Sequence, residues 1–191
     1  RIQIDKDILI SEETPIDETR SALSKGQLTM AVSKQLINRD GILVIARTIP
    51  ACWKIADKLS DELDKVEMSS ELKLVKKYIS SELGEEFILN DLIEKGIGVH
   101  HAGLPDEVKY LMEWLMTENK LRILISTTTI AQGINFPVST ILMASYSYPY
   151  TSHMPINDFW NLLGRCGRVG QGTLGMVGIA VGPAKSKMKN D

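Results

Sequence analysis

The run Gly41-Ile42-Leu43-Val44-Ile45-Ala46-Arg47 constrains this chain more than any other segment. Five consecutive apolar residues, three of them β-branched, sit between a glycine and a cation with no polar alternation. Such a strand must be covered on both faces, as inside a parallel sheet. Parallel neighbours need long crossovers, and the sequence supplies them. Pro50 can open a helix in which Ile55, Leu59 and Leu63 recur at helical spacing. A second helical region runs from Ser69 to Lys95, with Leu72, Val75 and Ile79 in one segment and Leu89, Leu92 and Ile93 in another, and Gly96 as its stop. Gly96 to His101 then reads as a strand, and Asp106 to Glu118 as a helix with Val108, Leu111, Met112 and Leu115 on one face. Arg122 to Ser126 and Thr140 to Ala144 read as further strands, Asn157 to Cys166 as a helix and Gly175 to Val181 as the last strand. Strands alternating with helices over short loops predict an α/β three-layer sandwich, a mostly parallel sheet flanked by helices.

The 191 residues, 43% of them apolar, suit one domain with a sizeable core. The unbroken apolar runs are far too short to cross a bilayer, so no membrane partner is expected. The N-terminus has neither an apolar signal core nor a small-residue cleavage site, although a chain beginning with Arg1 can be an excised piece. The net charge of −2 advertises no overall basic field, which still permits a local phosphate-binding face. Cys52 and Cys166 stand far apart in unrelated contexts and there are three histidines, which fits neither a disulfide framework nor a zinc site. A reducing cytoplasm is the expected location.

The ends divide the chain further. Residues 1–27 read as an N-terminal extension or linker, in which Ile2, Ile4 and Ile8 to Ile10 could form an edge strand. Leu28, Ala31, Val32, Leu36 and Ile37 make a helix leading into the first strand, and the main domain spans 28–184. Residues 185–191, with Lys185, Lys187 and Lys189, read as a solvated basic tail.

Two segments carry chemistry. In Gly164-Arg165-Cys166-Gly167-Arg168, two arginines three apart at a helix terminus can project from one face, and glycines let a backbone come close. Guanidinium forks suit phosphate oxygens; the plainer reading is a surface turn with solvated arginines. In Ser126-Thr127-Thr128-Thr129-Ile130-Ala131-Gln132-Gly133-Ile134-Asn135-Phe136-Pro137, hydroxyls stand where a buried strand ends, the usual phosphate position at the carboxyl edge of a parallel sheet. The plainer reading has the threonines capping a helix and Gly133 serving a turn.

Together with Val99-His100-His101-Ala102-Gly103-Leu104, and in this order, the two segments resemble the second, RecA-like domain of superfamily 2 helicases, most closely the DExH, Ski-like branch. The resemblance covers about residues 28–182. Ile42 to Leu59 resembles motif IV, Ser126 to Pro137 motif V and Asn161 to Arg168 motif VI, with Asn161 standing where motif VI usually begins with Gln or His. It implies that Arg165 and Arg168 contact the γ-phosphate of ATP. It also implies that Gly133 and Asn135 face the nucleotide, and that Thr127, its neighbour Thr128 and Arg47 meet the nucleic-acid strand. The fold it implies is RecA-like, of the P-loop NTPase type.

A G-x-x-x-x-G-K-[ST] cradle is absent from this sequence. The resemblance therefore implies that ATP and Mg²⁺ are held mainly by an N-terminal RecA-like domain of the same protein, and that this chain alone is inactive. The expected partners are that domain and single-stranded or partly duplex RNA or DNA. Asp61-Glu62-Leu63-Asp64 imitates a D-E-x-D box but lies inside an amphipathic helix, as a solvated face. Gly170-Gln171-Gly172-Thr173-Leu174-Gly175 follows a helix and precedes a strand, the reverse of a dinucleotide fingerprint. His100 and His101 lack further ligands at metal spacing and read as structural; Phe159 and Trp160 read as core anchors, and Cys166 as packing. The rival to a helicase motor half is a non-catalytic nucleic-acid-binding or regulatory module that keeps the fold.

Overall fold

A computed structural model describes residues 25–38, 41–132, 136, 138–145, 154–167 and 175–180. The expected edge strand near Ile2 to Ile10 and the basic tail lie outside the described residues.

The first helix, α1 (Lys25–Gln35), leads into β1 (Ile42–Ala46), and α2 (Ile49–Glu62), α3 (Ser70–Leu83) and α4 (Leu89–Glu94) precede β2 (Ile97–His100). Then come α5 (Asp106–Thr117), β3 (Ile123–Thr127), a 3₁₀ turn (Thr128–Gln132), β4 (Thr140–Met143), α6 (Ile156–Leu163) and β5 (Met176–Ile179). The five strands form one sheet in the order β2-β3-β1-β4-β5. Every pairing is parallel, as the unbroken apolar runs require. β1 lies in the middle, its five residues wholly buried. In the ladder Leu43 is opposite Leu124 and Ala46 opposite Thr127, while Val44 is opposite Leu142.

Side chains alternate across the sheet, so the ladder assigns the helices to faces. Gly98, paired with Leu124, meets α5: a Cβ there would fall 2.6 Å from Leu121 Cδ1, 2.9 Å from Leu124 Cδ1 and 3.3 Å from Met112 Sδ. Leu142 and Gly178 belong to the other face, where they line a cavity with Leu28 and Val32 of α1. The sandwich thus has helices on both sides of the sheet.

Local chemistry sets the boundaries. Thr48 caps α2, its hydroxyl accepting from the Ala51 N–H at 3.4 Å, with Pro50 in the first turn. The region from Ser69 to Lys95 is two helices, and buried Asn90 closes their corner by donating to the carbonyls of Gly84 at 3.0 Å and Glu85 at 3.1 Å. Gly96 follows at φ +71°, the left-handed stop that a side chain would resist. The Asp61-Glu62-Leu63-Asp64 stretch does not lie inside the helix as expected: α2 ends at Glu62, Leu63 is its buried cap, and Asp64 follows beyond it, with all three acids exposed. No helix among the described residues is long and apolar enough to cross a membrane.

The last helix differs from expectation. α6 ends at Leu163 rather than Cys166, because Gly164 favours leaving the helix and Cys166 is drawn into a parallel bridge with Val138. Gly98→Val tests the packing between α5 and the sheet. It forces apart three side-chain ends in a closed space, and chemical denaturation should read a loss of about 1–3 kcal/mol.

Candidate functional site

Those sequence-derived candidates that are described, Arg47, Thr127, Thr128 and Arg165, fall at two opposite edges of the sheet. At the carboxyl edge β1 delivers Arg47, which is exposed, directly after Ala46. Thr127 is the ladder partner of Ala46, so Arg47 and the Thr127 turn are neighbours. Thr127 is only 3% exposed and Thr128 is wholly buried. The Thr127 hydroxyl lies 2.7 Å from that of Thr129, and Thr129 is exposed. The surface hydroxyl of this turn is therefore that of Thr129, which sequence reasoning passed over. β3 runs one residue further than the apolar pattern indicates, to Thr127, and that step decides which threonine emerges.

The His-His segment braces this edge. The Ser126 hydroxyl donates to the His100 carbonyl at 2.6 Å, and His100 Nε2 lies 2.8 Å from Glu113 Oε1 on α5. Burial holds the His100 pKa below its ordinary value, outweighing the opposite pull of Glu113. His101 is 3% exposed, packs edge-to-face on Trp53 with ring centroids 5.3 Å apart, and accepts the Gly103 N–H at Nδ1 at 3.0 Å. With Nδ1 accepting, the proton of the neutral ring sits on Nε2, which is buried without a partner among the described residues. Burial, with His100 beside it, also lowers the His101 pKa. Both histidines shape the end of β2, and no group of three metal-ligating side chains occurs among the described residues.

Arg165 stands at the other end. α6 packs against the turn at Thr128–Gln132 and leads away from it to the segment just before β4. There the Val138 N–H donates to the Arg165 carbonyl at 3.1 Å, and the Gly167 N–H donates to the Val138 carbonyl at 2.8 Å. Gly167 sits at φ +97°. A Cβ on Gly175 would come within 2.8 Å of the Cys166 carbonyl group and the Gly167 nitrogen, so the arginine turn seats directly on that glycine. Cys166 Sγ, 3.1 Å from the Met176 carbonyl, joins the turn to β5, a packing role as expected. Arg165 is exposed on a fixed backbone, in a turn beyond the helix rather than on a helical face. Four residues of strand separate the two edges, about 13 Å.

Arg168, Gly133 and Asn135 lie outside the described residues. Phe159 packs on the core, but Trp160 does not anchor it: Trp160 is 61% exposed, in edge contact with Phe159, because the buried side of α6 is taken by Leu162.

A family model described as the helicase conserved C-terminal domain matches residues 55–170. The ATP-dependent DNA helicase Hel308 of Caldivirga maquilingensis is 29% identical over 180 residues, covering 86% of this chain and 23% of that protein. The Hachiman protein HamB of Bacillus cereus is 36% identical over 106 residues, 56% of this chain and 10% of the relative. Activating signal cointegrator 1 complex subunit 3 of Dictyostelium discoideum is 38% identical over 86 residues, 42% of this chain and 4% of the relative. The chain thus spans less than a quarter of the length of these relatives. The match over most of the chain agrees with the five-stranded parallel sheet between helices: this chain belongs to the helicase conserved C-terminal domain family, as a RecA-like C-terminal domain of superfamily 2.

Proposed function

We propose that this chain is the C-terminal motor half of an ATP-dependent nucleic-acid helicase, with the strand at the carboxyl edge of the sheet and the nucleotide at the arginine turn. The observation that carries the reading is the exposed Arg165 on a turn bonded on both sides to Val138. A guanidinium on so constrained a backbone is pre-organised to meet charge that develops on a phosphoryl group. Arg165 and Arg168 are the cations for that role, and Gly133 and Asn135 would line the nucleotide. The sequence has no lysine-bearing phosphate cradle, so ATP and Mg²⁺ would rest mainly on an N-terminal RecA-like domain of the same protein. Bound there, Mg²⁺ would neutralise phosphate charge, and this chain's part is to bring its arginines into the cleft. Arg47, Thr127 and Thr128 form the strand-facing edge, with Thr129 as the exposed member of the hydroxyl pair. Single-stranded or partly duplex RNA or DNA fits this edge, because hydroxyls and a cation serve phosphates without reading bases. Opening and closing of the cleft would move this edge along the strand.

Three outcomes test the reading. The isolated chain should turn over ATP at background with or without saturating RNA or DNA in a steady-state assay; stimulated turnover well above it would refute the half-motor. In the full-length protein, Arg165→Ala and Arg168→Ala should each lower turnover by on the order of 10³ while ATP and strand affinities change little. Arg→Lys should rescue poorly, because the planar fork is lost. Near-normal turnover in both would leave the non-catalytic module. Thr129→Val, and Thr127→Val beneath it, should weaken binding of a labelled single strand; unchanged affinity in folded variants would remove this hydroxyl pair from the site.

A further inference from the structure

α3 and α5 pack side by side and leave a groove of about 560 Å³ between them. Leu74, Val75 and Tyr78 line it from α3, and Tyr110 and Leu111 from α5, with Asp106 and Glu107 at one end. The core does not need all of these. Leu72, Val75 and Ile79 take the buried side of α3, while Leu74 is 65% and Tyr110 67% exposed. A leucine and a tyrosine ring left in water on facing helices, with charges around them, mark a contact surface. The two helices run antiparallel. Desolvation first, then the charges of Glu82 and Glu107, push the Tyr78 hydroxyl up from its ordinary pKa, so the start of α5 lies beside the end of α3. At the other end Lys120, just past α5, pairs with Glu71 in the first turn of α3 at 3.4 Å.

The charges along the groove are sorted by end. Asp106 pairs with Lys109 at 2.6 Å, Lys76 with Glu94, and Glu71 with Lys120. Glu82 and Glu107 remain beside Tyr78; further toward the start of α3 are Lys73 and Lys77, with Glu118 against them at the end of α5. Lys73, Lys77, Glu82 and Glu107 are exposed, and none forms an ion pair with a described residue. Their own helix does not join them: Glu82 is five residues past Lys77, about 140° round the axis, and Lys73 is two from Glu71, on the opposite side. Lys73 in the first turn of α3 and Glu82 in its last also stand against the helix dipole. A surface with an apolar middle, an acidic end and a basic end is its own complement after a half-turn. We infer that a second copy of this chain docks on this groove about a two-fold axis, α3 antiparallel to α3, with Leu74 and Tyr110 packed on their equivalents and Glu82 and Glu107 of each copy facing Lys73 and Lys77 of the other. Antiparallel pairing also opposes the two helix dipoles. A patch this narrow is at the low end of interface sizes, so the dimer is weak, with a Kd on the order of 10 µM. This goes beyond the helicase reading and stands or falls apart from it.

The test is sedimentation velocity on the full-length protein from about 1 to 100 µM, without nucleotide or nucleic acid. The wild type should pass from monomer to dimer across that range. Leu74→Glu/Tyr110→Glu should stay monomeric throughout, and should melt with the wild type because both side chains are exposed. Lys73→Glu/Lys77→Glu and Glu82→Lys/Glu107→Lys should each associate about tenfold more weakly, since like charges then face one another. An equimolar mixture of those two variants should recover the dimer, because every facing pair is again of opposite sign. A wild type that is monomeric at the highest concentration overturns the inference; if Tyr110→Cys in that monomer also resists iodoacetamide, another segment of the same protein occupies the groove. A dimer that persists in the Leu74→Glu/Tyr110→Glu variant overturns it as well, by putting the contact on another face. So does a mixture of the two charge variants that stays monomeric.

Discussion

The molecule depends on β1. Its N–H and C=O groups lie where water cannot reach them, and a buried backbone group left unpaired costs as much as a lost hydrogen bond. β1 meets that demand by pairing with β3 along its whole length on one side and with β4 from Ile42 to Ile45 on the other. The same register does the positioning: Ala46 fixes where Arg47 leaves the sheet and sets Thr127 beside it, and Ile42 sets Thr140. The carboxyl edge is thus placed by main-chain bonds rather than by contacts among its own polar groups.

How much of this was legible in the sequence follows from the range of the interactions. Every described strand was readable, the inner ones because burial on both faces favours unbroken apolar runs such as Ile42 to Ala46 or Ile123 to Ile125, and the half-exposed edge strand β5 because glycine and short apolar runs bound it. Caps and stops such as Thr48 and Gly96 are local for the same reason. The end of α6 was not readable, because what stops it is Val138, far back in the chain, whose bridge to Cys166 no periodicity announces. Trp160 misled for a related reason: on a helix with a single fully buried residue, Leu162, a large apolar side chain need not face the core. In the threonine run, which hydroxyl emerges depends on one residue of strand length, below the resolution of pattern reading. The helical-face rationale for the arginine segment failed, since Arg165 is held by main-chain bonds in a turn.

The two edges have different physics. At the carboxyl edge, Arg47 and Thr129 are exposed to solvent, and a cleft opens beside Arg47. At the arginine turn, the surroundings are tight and backbone-defined: Val138 on one side, Gly175 with no room for a Cβ on another. The same small sheet thus carries an open polar surface at one edge and a turn fixed by main-chain bonds at the other.

α6 spans the interval between those edges, and its length has a consequence of its own. Eight helical residues rise about 12 Å. The four residues of β4 rise about 13 Å. Helix and strand climb at different rates per residue, so the match holds for these two lengths together and for few others. One residue added to α6 would lengthen it by about 1.5 Å and turn its end by about 100°, while one added to β4 would turn each following side chain to the other face. An insertion in either element thus changes which side chains meet at the ends, and the two lengths set where the arginine turn meets Val138.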